Sequence, residues 1–341
     1  MTTRQKTVST PLEKAARRRQ LRAIDSLNKW TRDARKDPEA AIRAFGRLWK
    51  RFRDASEPEL QRLAAGAMYN RANTLARGAA SEKAISAYNE VIERFGRSSD
   101  FSTEVTVAMA MFNKGVELRD LGRVADEVDA YDRLLERFRG SAEPAILEQV
   151  ANALLCKGLA VGRMSRPAEE IESYQLLIEL FGDANDLRLR RGVASAQVNL
   201  GVTLGQVGRL EQEIKVYDQV IERLGDTVDP DLQKSLAMAL VTKGITLGRL
   251  AQPEAELDQY EQVVELFGET TRSELQEQVA IALMCKATAL SLLGRTTEEI
   301  LVYEHIAERF RDVNDSALVK LVARATELRA ETLTSSPLDL E

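Results

Sequence analysis

Little in this chain can do covalent or metal chemistry. Among 341 residues there are two cysteines and one histidine, too few for a disulfide scaffold or a His/Cys metal site. Eight prolines and 19 glycines leave few helix breakers, and aromatic residues are only 5% of the chain. A sheet core wants β-branched and aromatic residues, so this composition excludes one and favours long helices. Long hydrophobic runs are also missing. The most apolar stretch, Val279 to Gly294, carries Lys286 and is shorter than the roughly 18 residues that a bilayer crossing needs. The first ten residues have no apolar run of signal-peptide kind. The expectation is a soluble, cytoplasmic protein without cofactor, metal or membrane contact.

Charge is plentiful and unevenly placed. The formal net charge is −5, yet residues 1–57 hold 16 Lys and Arg against 7 Asp and Glu. This basic head, with Arg17, Arg18, Arg19 and Arg22 at its centre, precedes an acidic body. Such a head can meet an anionic partner, nucleic acid included, or dock on the acidic surface of a second copy to form a homodimer. Against nucleic acid, no aromatic interleaving or helix-turn-helix spacing accompanies the arginines.

The dominant feature is a repeat. Tyr88, Tyr131, Tyr174, Tyr217, Tyr260 and Tyr303 stand 43 residues apart and account for all but one of the tyrosines. Phe95, Phe138, Phe181, Leu224, Phe267 and Phe310 keep the same step, as do Glu93, Glu136, Glu179, Glu222, Glu265 and Glu308. Two alanine columns start at Ala65 and Ala67, and a glycine column runs through Gly115, Gly158, Gly201 and Gly244, with Ala72 and Ala287 at its ends. With the Gly115 column numbered eight, every residue has a column in the unit.

Each unit predicts two helices. The first, such as Ser273 to Leu293, is apolar around much of its circumference and should be buried on several sides. The second, such as Thr296 to Phe310, is amphipathic, with Ile300, Tyr303, Ile306, Ala307 and Phe310 on one stripe. Leu-Gly-Arg turns such as Leu121 to Arg123 separate them, and glycine past a helix end is a favoured cap. Pro144, Pro230 and Pro253 stand near helix starts. Residues 1–37 should form a basic helical cap, 38–57 a partial first repeat, 58–315 six repeats, 316–334 a closing helix and 335–341 a disordered tail. Terminal units differ because each has one neighbour.

Asn113-Lys114-Gly115, Leu118, Gly122, Glu127 and Tyr131, with the pairs Ala84/Tyr88 and Ala41/Phe45, resemble the tetratricopeptide repeat over about residues 38–333. The resemblance implies an all-α, right-handed α-α superhelical solenoid of helical hairpins that acts as a protein-binding scaffold. The 43-residue unit exceeds the usual 34. Lys or Arg replaces the usual Leu before the glycine column (Arg71, Lys114, Lys157, Lys243, Lys286). Glu replaces the family's small residue at Glu127, Glu170, Glu213, Glu256 and Glu299. HEAT or armadillo repeats are the alternative fold.

In tetratricopeptide repeats the first helices line a concave face, implying ligand contact at columns two, five, six, nine, twelve and thirteen. A helical wheel makes columns six, ten and thirteen polar, so six and thirteen satisfy both arguments. Column six holds Asn70, Asn113 and Asn199, with Cys156, Thr242 and Cys285 between; an Asn side chain both donates and accepts, which suits a peptide backbone. Asn bonding within the stack is the competing role. Column thirteen holds Arg77, Asp120, Arg163, Gln206, Arg249 and Leu292, where mixed charge can set specificity. Cys156 and Cys285 share a column three repeats apart, roughly 30 Å by helix spacing, beyond disulfide reach. The Glu93 column beside Arg94, Arg137, Arg223 and Arg309 reads as a solvated face of weak ion pairs. His305 has no partner at ligand spacing, and no phosphate loop, nucleophile elbow or HExxH occurs. The expectation is a non-catalytic protein or peptide binder, with nucleic-acid binding by the basic head as the alternative.

Overall fold

The computed structural model describes residues 11–335, and the side chains of 17–334. All regular structure among these residues is α-helical. The disordered tail expected at 335–341 lies outside them, apart from Ser335, which ends the last helix. The chain divides into two compact units after Arg166, at the turn between the two helices of one repeat.

The first unit holds α1 (Pro11–Asp33), α2 (Pro38–Phe52), α3 (Pro58–Arg77), α4 (Ser81–Phe95), α5 (Phe101–Asp120), α6 (Val124–Phe138) and α7 (Pro144–Arg163). The second holds α8 (Pro167–Phe181), α9 (Leu187–Gln206), α10 (Leu210–Leu224), α11 (Pro230–Arg249), α12 (Pro253–Phe267), α13 (Ser273–Leu292), α14 (Thr296–Arg309) and α15 (Ser316–Ser335). Helix starts follow local chemistry. Asp37, Asp100, Asp186 and Asp229 cap α2, α5, α9 and α11 by accepting backbone N–H bonds, and proline fills the first turn of α2, α3, α7, α11 and α12.

Each hairpin turn is the same device. In every repeat the N–H two residues past the cap returns to the carbonyl of the column-eleven residue, as in Arg123 to Leu118, Arg209 to Leu204 and Gln252 to Leu247. The residue between takes positive φ: Gly122, Gly208 and Gly294 at 68° to 80°, but Ala79, Ser165 and Ala251 at 54° to 57°. A side chain there costs about 1–2 kcal/mol, so packing of the two helices holds three turns that local preference opposes.

The glycine and tyrosine columns are halves of one contact. A Cβ on Gly115, Gly201 or Gly244 would lie 2.4–2.5 Å from the ring of Tyr131, Tyr217 or Tyr260. Removing the side chain from the first helix lets the second lie against it with a whole tyrosine ring between. Those rings are at most 1% exposed. In the second unit Tyr217, Tyr260 and Tyr303 join Leu224, Phe267 and Phe310 in one core.

Within each unit, first helices also pack on first helices. Helix α3 meets α5 and α5 meets α7; α9 meets α11, α11 meets α13 and α13 meets α15. No second helix meets another among the described residues. First helices therefore sit closer together, and each unit presents them on its inner side. At the ends, α1 lies on α2 and α3, and α15 on α13 and α14. Leu27 and Trp30 of α1 pack on Ala34, Ala41 and Phe45.

Helix α7, rather than the stretch from Val279, is the one long and apolar enough to cross a membrane among the described residues. It packs on α5 and α6, and Ile146, Val150, Leu154 and Val161 are buried.

Candidate functional site

Three polar columns explain how the repeats hold together, and they decide which residues are left for a ligand. The first is the base before the glycine column. Lys157 reaches Asp132 at 2.6 Å, Lys243 reaches Asp218 at 2.8 Å, Lys286 reaches Glu261 at 2.9 Å, and Arg329 pairs with Glu304. Each bond runs from a first helix to the second helix before it. Where the base is absent, as at buried Leu200, the acid's position holds Gln175. Arg71 lies over Gly46, whose missing Cβ would stand 3.8 Å from its Nε. At Lys157, Lys243 and Lys286 this departure from the tetratricopeptide pattern is thus a register lock between hairpins.

The second is the glutamate that replaces a small residue. Glu127, Glu213 and Glu299 are at most 4% exposed. Glu213 and Glu256 fit because column twelve lacks a side chain beside them: a Cβ on Gly205 or Gly248 would lie 2.5 Å from Oε2 of Glu213 or Glu256. Each carboxylate looks toward the next repeat's first helix. Glu127 accepts from Arg163 at 2.5 Å, and Glu299 accepts from the Thr332 hydroxyl at 3.2 Å. Burial pushes the Glu127 carboxyl up, against the pull of Arg163. Burial likewise raises Glu213, opposed by bonding to Thr246 and the charge of Arg249.

The third is the arginine column of the second helices: Arg94, Arg137 and Arg223 make solvent-accessible ion pairs with Asp54, Glu104 and Asp183, and Arg94, Arg223 and Arg309 also cap helix ends. Arg94 donates to the Arg53 carbonyl at 3.0 Å, Arg223 to the Gly182 carbonyl at 2.5 Å, and Arg309 to the carbonyls of Gly268 and Thr270 at 2.6 Å. A cation at the preceding second helix's C-terminus satisfies carbonyls and complements the helix dipole. The glutamates beside these arginines are all exposed.

Against this background column thirteen is exposed in all six repeats, at Arg77, Asp120, Arg163, Gln206, Arg249 and Leu292, and column six is half-buried in all six. Several of the named groups are engaged. Asn113 donates to the Tyr69 hydroxyl at 3.0 Å and to Asn73 Oδ1 at 3.2 Å, while Tyr88 donates to the same oxygen at 2.5 Å. Asn70 donates to Thr31 at 3.0 Å. The amide donors of Asn70 and Asn113 therefore tie each first helix to the one before it. Arg163 is held by Glu127, Asp120 by Arg119 at 3.2 Å, and Arg249 reaches the Gly205 carbonyl at 3.4 Å. Asn199 is half-buried, and Arg77 and Gln206 point outward.

The same face carries apolar side chains that the wheel argument set aside. Phe112 and Leu155 of column five are half-buried. Leu159 and Ile245 of column nine are 43% and 40% exposed, and Leu292 of column thirteen is 86% exposed. In the first unit Phe112 adjoins Asn113 and Leu159 stands one turn before Arg163; in the second, Ile245 stands one turn before Arg249. Cys156 and Cys285 are free thiols. Burial raises both, against hydrogen bonds with Tyr131 and Tyr260. His305 is exposed.

Of the basic-head residues, Arg17, Arg18, Arg19 and Arg22 are all exposed on α1. Arg19 and Arg22 face Arg47 and Arg51 of α2 across a cleft; Arg17 and Arg18 do not line it.

A family model described as tetratricopeptide repeat matches residues 66–98, spanning parts of α3 and α4. The apo form of RapI is similar in structure at 13% identity over 92% of this chain and 86% of that one, with a TM-score of 0.62. The apo form of the quorum sensor NprR from B. thuringiensis is similar at 14% identity, over 90% and 81%, with a TM-score of 0.52. No curated protein matches the chain significantly. The chain has the tetratricopeptide-repeat fold, an all-α stack of lengthened helical hairpins among the described residues, and matches the family's repeat at 66–98.

Proposed function

We propose that the chain is a non-catalytic scaffold whose first-helix face binds a peptide, helix or loop of a partner protein. The carrying observation is the apolar surface on that face. First helices pack on one another on the inner side of each unit, yet Leu159 and Ile245 stay substantially exposed there. Exposed aliphatic and aromatic groups beside polar ones are what a partner's anchor side chains fit. The polar partners belong to column thirteen, where Arg77 and Gln206 point outward. Column six serves chiefly to build the face, since the donors of Asn70 and Asn113 are used within the stack. RapI and NprR lend the fold only; NprR is a quorum sensor, a role that fits a scaffold which receives a signal.

Selecting a displayed peptide library on the full chain tests this reading. Enriched peptides should bind saturably by fluorescence anisotropy, and Leu159→Asp or Ile245→Asp should weaken them about tenfold. Both side chains are exposed, so the substitutions spare the core. Failure to enrich any sequence, or binding untouched by both substitutions, refutes the proposal.

A further inference from the structure

We infer that the cleft between α1 and α2 is a binding site for a small, multiply phosphorylated molecule, independent of the first-helix face. The cleft has a volume of about 300 Å³, the lower end of the range for small-molecule sites, about 300–1,000 Å³. Arg19 and Arg22 of α1 and Arg47 and Arg51 of α2 line it, and Ser26 adds a hydroxyl. Its floor is apolar, made by Ala23, Ala44 and Leu48. No carboxylate is among the lining residues, and none of the four guanidinium groups has an ion pair among the described residues.

Several other arginines of the first unit are neutralised instead: Arg62 meets Asp100, Arg94 meets Asp54, Arg123 meets Asp126, Arg133 meets Asp129 and Arg163 meets Glu127. In the cleft, like charges sit at i, i+3 on α1 and at i, i+4 on α2, spacings at which each repulsion disfavours the helix by a few tenths of a kcal/mol. The two rows then face each other over buried alanines. Sequence reasoning saw only half of this site, because Arg47 and Arg51 lie in the partial repeat and reach Arg19 and Arg22 through tertiary packing.

Guanidinium groups bind phosphate oxygens in a bidentate fork. Four of them around so small a volume call for several negative charges within one compact ligand. Phosphate groups at up to two charges each supply that density, whereas a peptide's carboxylates bring one charge per residue. Nucleic acid fits less well: α1 lies on α2 and α3, so it is not free to enter a groove, and Trp49 is buried, leaving no stacking platform in the cleft. Seated phosphates would cancel the repulsion between the rows and clamp the cap onto the first hairpin.

Titration calorimetry of the full chain with tripolyphosphate tests the site. Saturable one-to-one binding is expected, and sulfate at equal ionic strength should not displace it. Arg22→Gln and Arg47→Gln should each raise Kd about tenfold, from the loss of a charge-assisted hydrogen bond. Arg47→Lys, which keeps the charge and loses the fork, should raise it less. Arg133→Gln on α6 should leave it unchanged, and helical circular dichroism reports that each variant is folded. Equal displacement by sulfate would show charge screening only and overturn the proposal. Unchanged binding in both glutamine variants would do the same, as would a single-stranded oligonucleotide whose affinity grows with length while tripolyphosphate fails to compete.

Discussion

The repeats of the second unit and the amino-terminal hairpin are rich in the same cations and use them in opposite ways. In the repeats, Lys243, Lys286 and Arg329 each meet an acid on the preceding second helix, and Arg223 and Arg309 are seated on helix-end carbonyls. In the α1–α2 hairpin, Arg19, Arg22, Arg47 and Arg51 line one cleft without an acid among the residues around it. The difference teaches that charge in this protein has two jobs. Between hairpins it fixes register and is neutralised internally; at the basic end it is left open to the outside.

The largest expected effect comes from breaking the closed side of that contrast. Arg163→Met leaves Glu127 buried without its cation, and urea unfolding should show a loss of about 2 kcal/mol. Adding Glu127→Gln to that variant should recover most of it. A smaller change separates burial from pairing. Burial raises the Glu213 carboxyl, so the native state holds that proton more tightly than the unfolded chain does. Its contribution is therefore intact at acid pH and falls as pH rises from the ordinary carboxylate range, about 4.3, through the raised native value. Glu213→Gln should be the more stable protein at pH 7, and the advantage should vanish on acidification, read as unfolding midpoints across pH. A wild type more stable than the variant at neutral pH would show that Thr246 and Arg249 outweigh burial.

The register lock should give less still. Asp218 is about half exposed, so Lys243→Ala should lose about 0.2–1 kcal/mol in the same assay and lose less in high salt. The smallest expected effect has the opposite sign. Without ligand, Arg22→Gln or Arg47→Gln should leave stability unchanged or raise it by a few tenths of a kcal/mol, because each removes a like-charge neighbour. Destabilisation of about 1 kcal/mol or more would mean that the cleft arginines are structural, and the contrast between the two regions would fail.

Much of the architecture could be read from residues alone. The tyrosine step of 43 placed the second helices, and their ends fall within a few residues of expectation: Thr296–Arg309 against Thr296 to Phe310, and Pro38–Phe52 against Pro38 to Arg53. Recurrence at one spacing reports a packing solution used again, so it survives any error about a single helix. The site was less legible. Asn113 stood in a candidate column, but its donor is spent on Tyr69 and Asn73, two residues of the neighbouring hairpin. Arg94, Arg223 and Arg309 beside the Glu93 column looked like surface charge alone, yet they also reach helix ends 41 residues back. A signal for the register lock was present: acids stand in one column at Asp132, Asp218 and Glu261 where bases stand in another at Lys157, Lys243 and Lys286. Pairing those columns requires knowing which helix lies against which.

By itself, then, the sequence determined the helices, their two-per-unit rhythm and which face of each is apolar. Those properties depend on the spacing of side chains along one helix, which is written in the chain. Only the tertiary structure decided which polar groups are spent and which stay open. A hydrogen bond or ion pair depends on distances of about 3 Å between atoms some 40 residues apart, and those distances exist only after the hairpins have packed. Asn113 is closed and the α1–α2 arginines are open for that one reason.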